Sequence, residues 1–375
     1  MDSAKKKAID LWIGLGMNTK ADKNLSGNAK KTINADGGES TTMEDALVKI
    51  ASKQDRQRTL SPLRRVDLSD SVSAKFLYDV TVYDLDWDFI KKYNQTHYDV
   101  NGSACSVFRK GNWIGRNLDF YYNDTPNVIV RTTPTKNRYA SVGMTGKVNG
   151  LTIDFIESGK WFDENGDEPY MLLPFRIVDG INEKGLFAEV NVTPHNEIGF
   201  PPTTGTNPDA EVTICTYNLV RYILDNFSSC DDAVDPNNPK SLLNINIVTP
   251  DSATNDYHYI LADKDKTYVI EFVNNTVHVL EKTVMTNFHL TNTSENSNGT
   301  INYSTVELHG AGLERYDIIK NGINSVTTEQ DVLDLLKSVK YSQTYSYKRY
   351  RKISNINYFA VKTAGVLHTS IPLPL

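Results

Sequence analysis

The segment that most constrains the fold is SACSVFRKGNWIGRNLDF, residues 103–120. Gly111 and Asn112 suit a two-residue turn between two segments rich in strand-forming residues, so we predict a β-hairpin. A turn of this length sets the register, because each residue before it then faces one residue after it. The expected pairs are Lys110 with Trp113, Val107 with Arg116, and Cys105 with Leu118.

The hairpin brings chemically reactive side chains together. Side chains alternate between the two faces of a strand, so Cys105 and Arg116 share one face. They lie diagonally across the pair, roughly 7–8 Å apart at the backbone and within reach of a long side chain. Asp119 follows near the end of the second strand. The alternative interpretation is that Cys105 is a small buried strand residue and that Arg116 and Asp119 form a surface ion pair.

Strand-like segments recur along the rest of the chain. Apolar residues make up 39% and charged residues 23% of the 375 residues, which is typical of a globular protein with a sizeable core. A total of 20 tyrosines favours sheet structure. We predict strands or hairpins with Gly, Asn or Asp turns in segments 76–87, 139–146, 147–158, 185–192, 243–249, 257–282 and 356–371.

Only a few helices are predicted among these strands, so the fold class is α+β. The helical segments are 86–95, 210–227 and 327–339. The apolar stripe of the second consists of Ile214, Leu219, Ile223 and Leu224. Cys215 lies in that same predicted helix and Cys230 lies near the start of the next one. We expect both cysteines to be structural, because no partner base is recognised near either of them.

Residues 1–75 form a polar extension that differs from the rest of the chain. It is rich in Gly, Asn and Lys, with 13 Lys/Arg against 8 Asp/Glu between Met1 and Val66. Segment 41–54 is its one good helix, with a threonine cap and early acidic residues. We interpret the extension as mobile or dependent on a partner, with a homo-oligomer or assembly partner held through it left open. A disordered tail with one helix is the alternative.

Several classes of protein are disfavoured by charge and motif. The net charge of −6 gives no electrostatic case for nucleic acid. No apolar run is long enough for a membrane span, and the N-terminus lacks the small-residue cleavage site of a signal peptide. We therefore expect a cytoplasmic or non-classically released protein, or a virion component as the alternative. No metal-ligand spacing or phosphate-binding loop is present, so we expect no metal and no cofactor.

Four blocks of the sequence resemble the choloylglycine hydrolase family, the linear amide C–N hydrolases that include bile salt hydrolases and penicillin V acylases. The first block is Cys105-Ser106, a short hairpin and then GRNLD, residues 115–119. The other three are DGINEKGLFAEVN ending at Asn191, VMTNF with Asn287, and GLERYDII with Arg315. All four blocks occur in family order. Two departures are a shorter hairpin and 104 residues before the cysteine, which is more similar to the acid ceramidase branch with its long prosegment.

The resemblance implies an N-terminal-nucleophile (Ntn) hydrolase, a four-layer αββα sandwich with antiparallel sheets. Residues 105–375 would form this domain and 76–104 a propeptide or linker. The Ala104–Cys105 bond would be cleaved, because the catalytic base of such enzymes is the α-amine of the nucleophile. The small residues that precede Cys105 leave room for the strained turn of an N-to-S acyl shift.

The resemblance also implies a role for each matched residue. Cys105 is the nucleophile, Asp119 holds its freed α-amine and Arg116 stabilises the charge of the site. Oxyanion and substrate contacts come from Asn191 and Asn287, and Arg315 supports the electrostatics of the pocket. Loop aromatic residues suggest an apolar wall for the substrate. These are Phe120, Tyr121, Tyr122 and Phe200.

Two classes of function are consistent with the sequence. The first is a cysteine amidohydrolase that cleaves a linear, non-peptide amide of the bile-salt, penicillin V or N-acyl amide type. The second is an unprocessed structural or assembly protein, for example virion-associated, that uses the same scaffold and is anchored by residues 1–75. The complete set of blocks favours the enzyme, since a structural descendant has no need to keep Cys105, Arg116 and Asp119 together. Cleavage before Cys105 discriminates between the two.

Overall fold

The computed structural model describes most of the chain from residue 77 onward. The described residues are 60, 63–65, 77–94, 103–120, 126–146, 148, 150–160, 163, 169–193, 203–249, 256–291, 293–302, 312–339 and 359–362. The chain divides into two compact units. The smaller comprises residues 1–62 and 82–84, in which Leu60 forms an isolated antiparallel bridge with Val82. The larger comprises residues 63–81 and 85–375 and contains all the other described residues.

The larger of the two main sheets has nine strands in the order β1-β2-β5-β6-β7-β8-β11-β12-β13. Neighbouring strands from β5 to β8 and from β8 through β13 pair antiparallel. Three pairs of these strands are joined by turns of two to four residues, which suits antiparallel pairing. The strands are β1 Arg64–Arg65, β2 Leu77–Val82, β5 Asn127–Thr132, β6 Ser141–Thr145, β7 Ile177–Asn182, β8 Phe187–Thr193, β11 Asp256–Ala262, β12 Thr267–Val273 and β13 Thr276–Leu280.

The smaller main sheet has four antiparallel strands in the order β14-β3-β4-β15. They are β3 Ser103–Lys110, β4 Trp113–Phe120, β14 Val284–Met285 and β15 Phe359–Lys362. β3 and β4 are the predicted hairpin, and the predicted register is confirmed at Lys110–Trp113, Val107–Arg116 and Cys105–Leu118. Gly111 adopts a φ of 57° in the turn, a left-handed conformation that glycine allows without strain.

Helices cover the outer faces of the two sheets. α4 packs against β7 and β8 of the larger sheet, while α6 and α7 pack against β3 and β4 of the smaller one. β3 contacts β8, so the sheets face each other and the layers run helix, sheet, sheet, helix. The expected α+β, four-layer αββα sandwich with antiparallel sheets is confirmed. The helices are α1 Trp87–Asn94, α2 Ile153–Glu157, α3 Pro169–Leu172, α4 Leu219–Asn226, α5 Cys230–Ala233, α6 Leu313–Gly322 and α7 Glu329–Ser338.

One apolar core lies between the smaller sheet, its helices and part of the larger sheet. It holds side chains from β3, β11, β12, α6 and α7, including Phe108, Ile260, Val269, Ile319 and Leu336. Complete burial of aliphatic and aromatic side chains of this size stabilises the fold by about 1.5–3 kcal/mol each. The core fixes β3 against the larger sheet and therefore fixes the position of Cys105, which lies on β3.

The strand predicted over 147–158 is wrong. Ile153–Glu157 forms the short helix α2 instead. Thr152 caps it, with its hydroxyl oxygen accepting a hydrogen bond from the Phe155 amide at 3.1 Å, and Asp154 lies in the first turn. Caps and first-turn acids favour a helix start, and here they outweigh the alternation of apolar and polar residues.

The long helix predicted over 210–227 is too long at its N-terminal end. Thr213–Cys215 forms the strand β9, which pairs in parallel with β10, Asn246–Val248, and the helix α4 begins only at Leu219. Ile214 and Cys215 are therefore strand residues and do not belong to the apolar stripe of a helix. The run of β-branched residues around Ile214 favours this strand, since such side chains lose rotamer freedom in a helix.

The other two helices predicted after residue 75 are confirmed. α1 and α7 match segments 86–95 and 327–339, and a capping box closes the N-terminus of α7. In that box Thr328 accepts a hydrogen bond from the Asp331 amide, and Asp331 accepts from the Thr328 amide. The helix predicted over 41–54 lies outside the described residues, and so does most of the polar extension.

A pair of facing glycines brings two strands of the larger sheet unusually close. Gly143 of β6 and Gly180 of β7 lie opposite each other. A Cβ on Gly180 would lie 2.7 Å from the Val142 carbonyl oxygen and 2.8 Å from Leu224 Cδ1 of α4. Because the backbone cannot withdraw without breaking the ladder, we expect Gly180→Ala to lower the free energy of unfolding by about 1–3 kcal/mol.

Chemical denaturation would measure this loss, with Gly322→Ala as the matched control. A Cβ on Gly322 would also make one close approach, 2.7 Å to Leu335 Cδ1, but that atom is the end of a side chain that can change rotamer. We expect the control to unfold near the wild-type midpoint. Equal losses in the two variants would contradict the explanation by close strand packing.

Candidate active site

Cys105 lies on β3 with its backbone nitrogen bound to a side chain. The Cys105 amide donates a hydrogen bond to Asn287 Oδ1 at 2.7 Å, and the cysteine is buried. The register explains this contact: Met285 of β14 pairs with Val107, so two residues further along Asn287 comes level with Cys105. β14 ends before that level, and the amide oxygen of Asn287 takes the place of a main-chain acceptor.

Arg315 holds the other side of Cys105. It lies in the first turn of α6 and is buried. Its Nη1 donates to the Cys105 carbonyl oxygen and, at 2.8 Å, to Ser106 Oγ, while Nη2 donates to Asn287 Oδ1 at 2.8 Å. A planar guanidinium with several donors suits such a multiple contact. Arg315 therefore ties the cysteine and Asn287 into one rigid unit.

Two asparagines connect this unit to the larger sheet. Asn287 Nδ2 donates to the Val192 carbonyl oxygen at 2.7 Å, and Asn191 Nδ2 donates to the Thr286 carbonyl oxygen at 3.0 Å. Asn287 thus binds the residue after Asn191, and Asn191 binds the residue before Asn287. The side-chain amide nitrogen of each asparagine also carries a second N–H. Asn191 Oδ1 is buried and has no hydrogen-bond partner among the described residues. Polar groups left available in this way next to a thiol are suited to bind a substrate.

Arg116 reaches from the smaller sheet into the larger one. Its Nε donates to Glu189 Oε1 at 2.7 Å, its Nη1 binds Asp179 and its Nη2 donates to the Val190 carbonyl oxygen at 3.2 Å. Arg116 is only 2% exposed and Glu189 is fully buried. Burial acts to lower the pKa of Arg116, but electrostatic interactions with Glu189, Asp179 and Cys105 together raise it, so the guanidinium stays charged.

Glu189 is a site residue that the sequence analysis did not identify. Burial raises the pKa of Glu189 to about 7, against the opposing effect of the Arg116 charge. It lies inside the quoted block FAEVN, two positions before Asn191 and therefore on the same face of β8. An acidic residue on an inward face is the signal that would have identified it.

His258 and Glu271 hold the backbone carbonyl group of Thr286, to which Asn191 also binds. His258 Nε2 lies 2.8 Å from the Thr286 carbonyl oxygen, which can only accept, and His258 Nδ1 lies 3.0 Å from Glu271 Oε1. Glu271 also accepts from the backbone amides of Leu290 and Thr291, each at 2.8 Å. Burial acts to raise the pKa of Glu271, but the hydrogen bond from His258 and the interaction with His289, whose Nδ1 lies 3.8 Å from Glu271 Oε2, hold it well below its usual range.

The structure brings together five of the six predicted catalytic residues. They are Cys105, Arg116, Asn191, Asn287 and Arg315. Asp119 is part of β4 and pairs with Ala104, the residue before the cysteine, but its side chain lies outside the described part. The role given to Asp119 therefore stays a prediction. The predicted aromatic wall also stays untested, because Tyr121, Tyr122, Phe200 and the Phe120 side chain are not described.

The other two cysteines lie away from this cluster. Cys215 ends β9, and Cys230 starts α5 and is fully buried. Burial raises the pKa of the Cys230 thiol well above its usual range, and the Asp263 charge adds to this. A thiol held in its neutral form is a poor nucleophile. Cys105, by contrast, is the buried cysteine that interacts electrostatically with Arg116.

The described part of the chain contains neither a metal-ion cluster nor a membrane-spanning helix. Within the described ranges no group of three or more His, Cys, Asp or Glu side chains is arranged to hold a metal ion. Among the helices of the same part, none has the length and apolar character needed to cross a membrane.

Known proteins of similar fold include two variants of conjugated bile acid hydrolase from Clostridium perfringens. Each is 15% identical to this chain and 84% of its length is covered. The covered share of this chain is 69% for the first and 70% for the second, with TM-scores of 0.44 and 0.43. No curated protein matches the chain in sequence.

The sequence model of one family matches most of the region that builds the site. It is described as linear amide C–N hydrolases, choloylglycine hydrolase family, and it matches residues 108–322. The match covers more than half of the chain, begins just after Cys105 and includes Arg116, Asn191, Asn287 and Arg315. The chain therefore belongs to the choloylglycine hydrolase family of linear amide C–N hydrolases.

Proposed function

We propose that this enzyme is a cysteine N-terminal-nucleophile amidohydrolase. It cleaves a linear, non-peptide C–N amide after its own Ala104–Cys105 bond has been broken. The observation that carries the proposal is the 2.7 Å hydrogen bond between the Cys105 nitrogen and Asn287 Oδ1. A side chain placed on the nitrogen of the nucleophile can orient an α-amine as the proton acceptor for its own thiol.

Activation begins with attack of the Cys105 sulfur on the carbonyl carbon of Ala104. The C–N bond breaks, the cysteine nitrogen gains a proton and becomes an α-amine, and a thioester joins Ala104 to the sulfur. Water then hydrolyses the thioester, which releases the Ala104 carboxylate and the free thiol. Arg315, bound to the Cys105 carbonyl oxygen, and Asn287, bound to its nitrogen, hold this residue in place during the exchange.

Substrate hydrolysis repeats the same chemistry on an external amide. The thiol gives its proton to the α-amine and attacks the acyl carbon, and the α-amine then protonates the departing nitrogen. The tetrahedral intermediate carries an oxyanion that needs hydrogen-bond donors. The second N–H groups of Asn191 and Asn287, on the side of the site away from their present acceptors, supply them. We assign Asp119 to the α-amine, since its strand position faces Ala104.

The substrate class follows from the family and not from the pocket. Amides of bile salts, penicillin V and N-acyl amines are the candidate substrates, each with an apolar acyl part. The aromatic residues Phe120, Tyr121, Tyr122 and Phe200 are proposed to contact that part. A small-molecule amide is then the partner of this site, and no cofactor takes part in the steps above.

A substrate screen combined with intact mass measurement tests the proposal. Purified full-length protein is weighed by mass spectrometry and incubated with conjugated bile salts, penicillin V and N-acylethanolamines, and the released amines are quantified. We expect a fragment that begins at Cys105 and turnover of one of these amide classes. A chain that keeps its full mass and hydrolyses none of them would support the unprocessed structural or assembly role.

A further inference from the structure

Glu189 is a buried acid beside the catalytic cluster that no step above uses. Its Oε1 accepts from Arg116 Nε, whereas its Oε2 is buried and has no hydrogen-bond partner among the described residues. If Glu189 were ionised, part of its charge would lie on a buried oxygen to which no described group donates a hydrogen bond. The geometry therefore disfavours the ionised acid relative to the neutral one.

The charge of Glu189 decides the net charge around the Arg116 guanidinium. Arg116 also binds Asp179, so with both acids ionised the three groups carry one net negative charge. With Glu189 neutral, the positive and negative charges balance. Cys105 interacts electrostatically with Arg116, so the net charge around Arg116 acts on the Cys105 thiol. A net negative charge on Arg116, Asp179 and Glu189 opposes formation of the Cys105 thiolate. Removal of that negative charge favours the thiolate.

The neighbouring strands leave few other charges near Glu189. β7 contributes Asp179 and β4 contributes Arg116. β11, the other neighbour of β8, places the apolar Ile260 opposite Glu189 and His258 opposite Asn191. His258 is bound to Glu271 of β12 and to a backbone carbonyl oxygen. Among the described side chains, Arg116 and Asp179 are thus the groups coupled to Glu189, and Cys105 interacts with Arg116.

We propose that Glu189 is a positioning residue that fixes Arg116 beside Cys105. Its protonation state determines how much of the positive charge of Arg116 is left uncompensated and can stabilise the Cys105 thiolate. This inference rests on the proposed role of Cys105 as nucleophile. Burial raises the pKa of Glu189 to about 7, so the proton exchanges near neutral pH. Below that pH the neutral acid favours the thiolate, and above it the ionised acid opposes the thiolate.

Titration of the Cys105 thiol in the full-length protein tests the proposal directly. Thiolate absorbance near 240 nm is followed against pH in the wild type and in Glu189→Gln, with the curve of Cys105→Ala subtracted. Glutamine keeps the size and the carbonyl oxygen that Arg116 Nε binds, but it carries no charge. We expect the midpoint of thiolate formation to fall by about one pH unit, a tenfold gain in thiolate at a given pH.

Two control variants separate charge at this site from general effects. Asp225→Asn removes a buried carboxylate from Arg221, 2.7 Å away in α4, and should leave the midpoint unchanged. Asp179→Asn removes a charge from Arg116 itself and should lower the midpoint as well. It keeps Glu189, however, whose ¹³C carboxyl resonance should still titrate near neutral pH.

The same measurements define the results that would overturn the proposal. One is a Glu189→Gln midpoint equal to that of the wild type. The other is a Glu189 carboxyl resonance that titrates like an ordinary glutamate, near about pH 4.3. If the Gln variant does not fold, the resonance in the wild-type protein decides alone. Neither measurement needs substrate or chain cleavage, so a failed substrate screen would count only against the proposed function.

Discussion

Cys105→Ala is expected to stay at full length and to hydrolyse no amide. Both the chain cleavage and the substrate reaction use the Cys105 sulfur, and alanine offers no nucleophile. Removal of the nucleophile from a comparable covalent hydrolase lowers turnover on the order of 10⁶-fold. Intact mass and amine release, measured on the same sample, check the two losses together.

Cys105→Ser and Cys215→Ser sharpen this prediction. Serine keeps a hydroxyl at the same position, but it is a weaker nucleophile than a thiol near neutral pH, so we expect slow, partial cleavage. Cys215 lies in β9, away from the cluster, and its serine variant should be cleaved and active like the wild type. Cleavage of Cys105→Ala before residue 105 would instead mean that another protease cuts the chain.

The hairpin of the site was predictable because local chemistry determines it. A two-residue turn at Gly111 and Asn112 leaves one register for β3 and β4, and that register brings Cys105 and Arg116 to one face. The positions of Asn191, Asn287 and Arg315 were not accessible in this way. They follow from resemblance to a family. In the structure Asn287 and Arg315 bind Cys105 directly, and Asn191 binds the carbonyl group of the residue before Asn287.

The partners of Arg116 were missed because they depend on how two sheets face each other. Glu189 and Asp179 come more than 60 residues after Arg116 in the sequence and belong to the other sheet. No local pattern contains that relation. The support of Thr286 by His258 was missed for the same reason. Local errors had a different cause. A strand was predicted in place of α2 because apolar and polar residues alternate there, whereas the cap at Thr152 favours a helix.

Arg116→Met is expected to be the most destabilising single change in the site. The variant keeps an apolar stem but leaves Asp179 and Glu189 buried without their counter-charge. Removal of one partner from a buried ion pair costs about 3–5 kcal/mol. Urea unfolding at constant pH would measure the loss. Arg109→Met is the matched control, because this half-buried arginine of β3 also makes three hydrogen bonds but forms no ion pair with a buried acid among the described residues.

The free energy of unfolding that Arg116→Met loses should increase with pH. In the wild type, burial already raises the pKa of Glu189 from 4.5 to about 7. A folded-state pKa above the unfolded value means that the contribution of this group to stability is present below about pH 4.5 and is lost as the pH rises through 7. Without Arg116 the ionised acids are opposed even more strongly. We therefore expect a larger destabilisation at pH 8 than at pH 5, and a pH-independent loss would contradict the charge explanation.

A triple variant separates the structural role of Arg116 from its chemical role. Adding Asp179→Asn and Glu189→Gln to Arg116→Met removes the unpaired charges together with the guanidinium, so much of the lost stability should return. The thiol of Cys105 would then lack the Arg116 guanidinium, while Arg315 would still bind the Cys105 backbone. We expect a folded protein whose chain is cleaved slowly or not at all. A stable triple variant cleaved at the wild-type rate would show that Arg116 serves the fold alone.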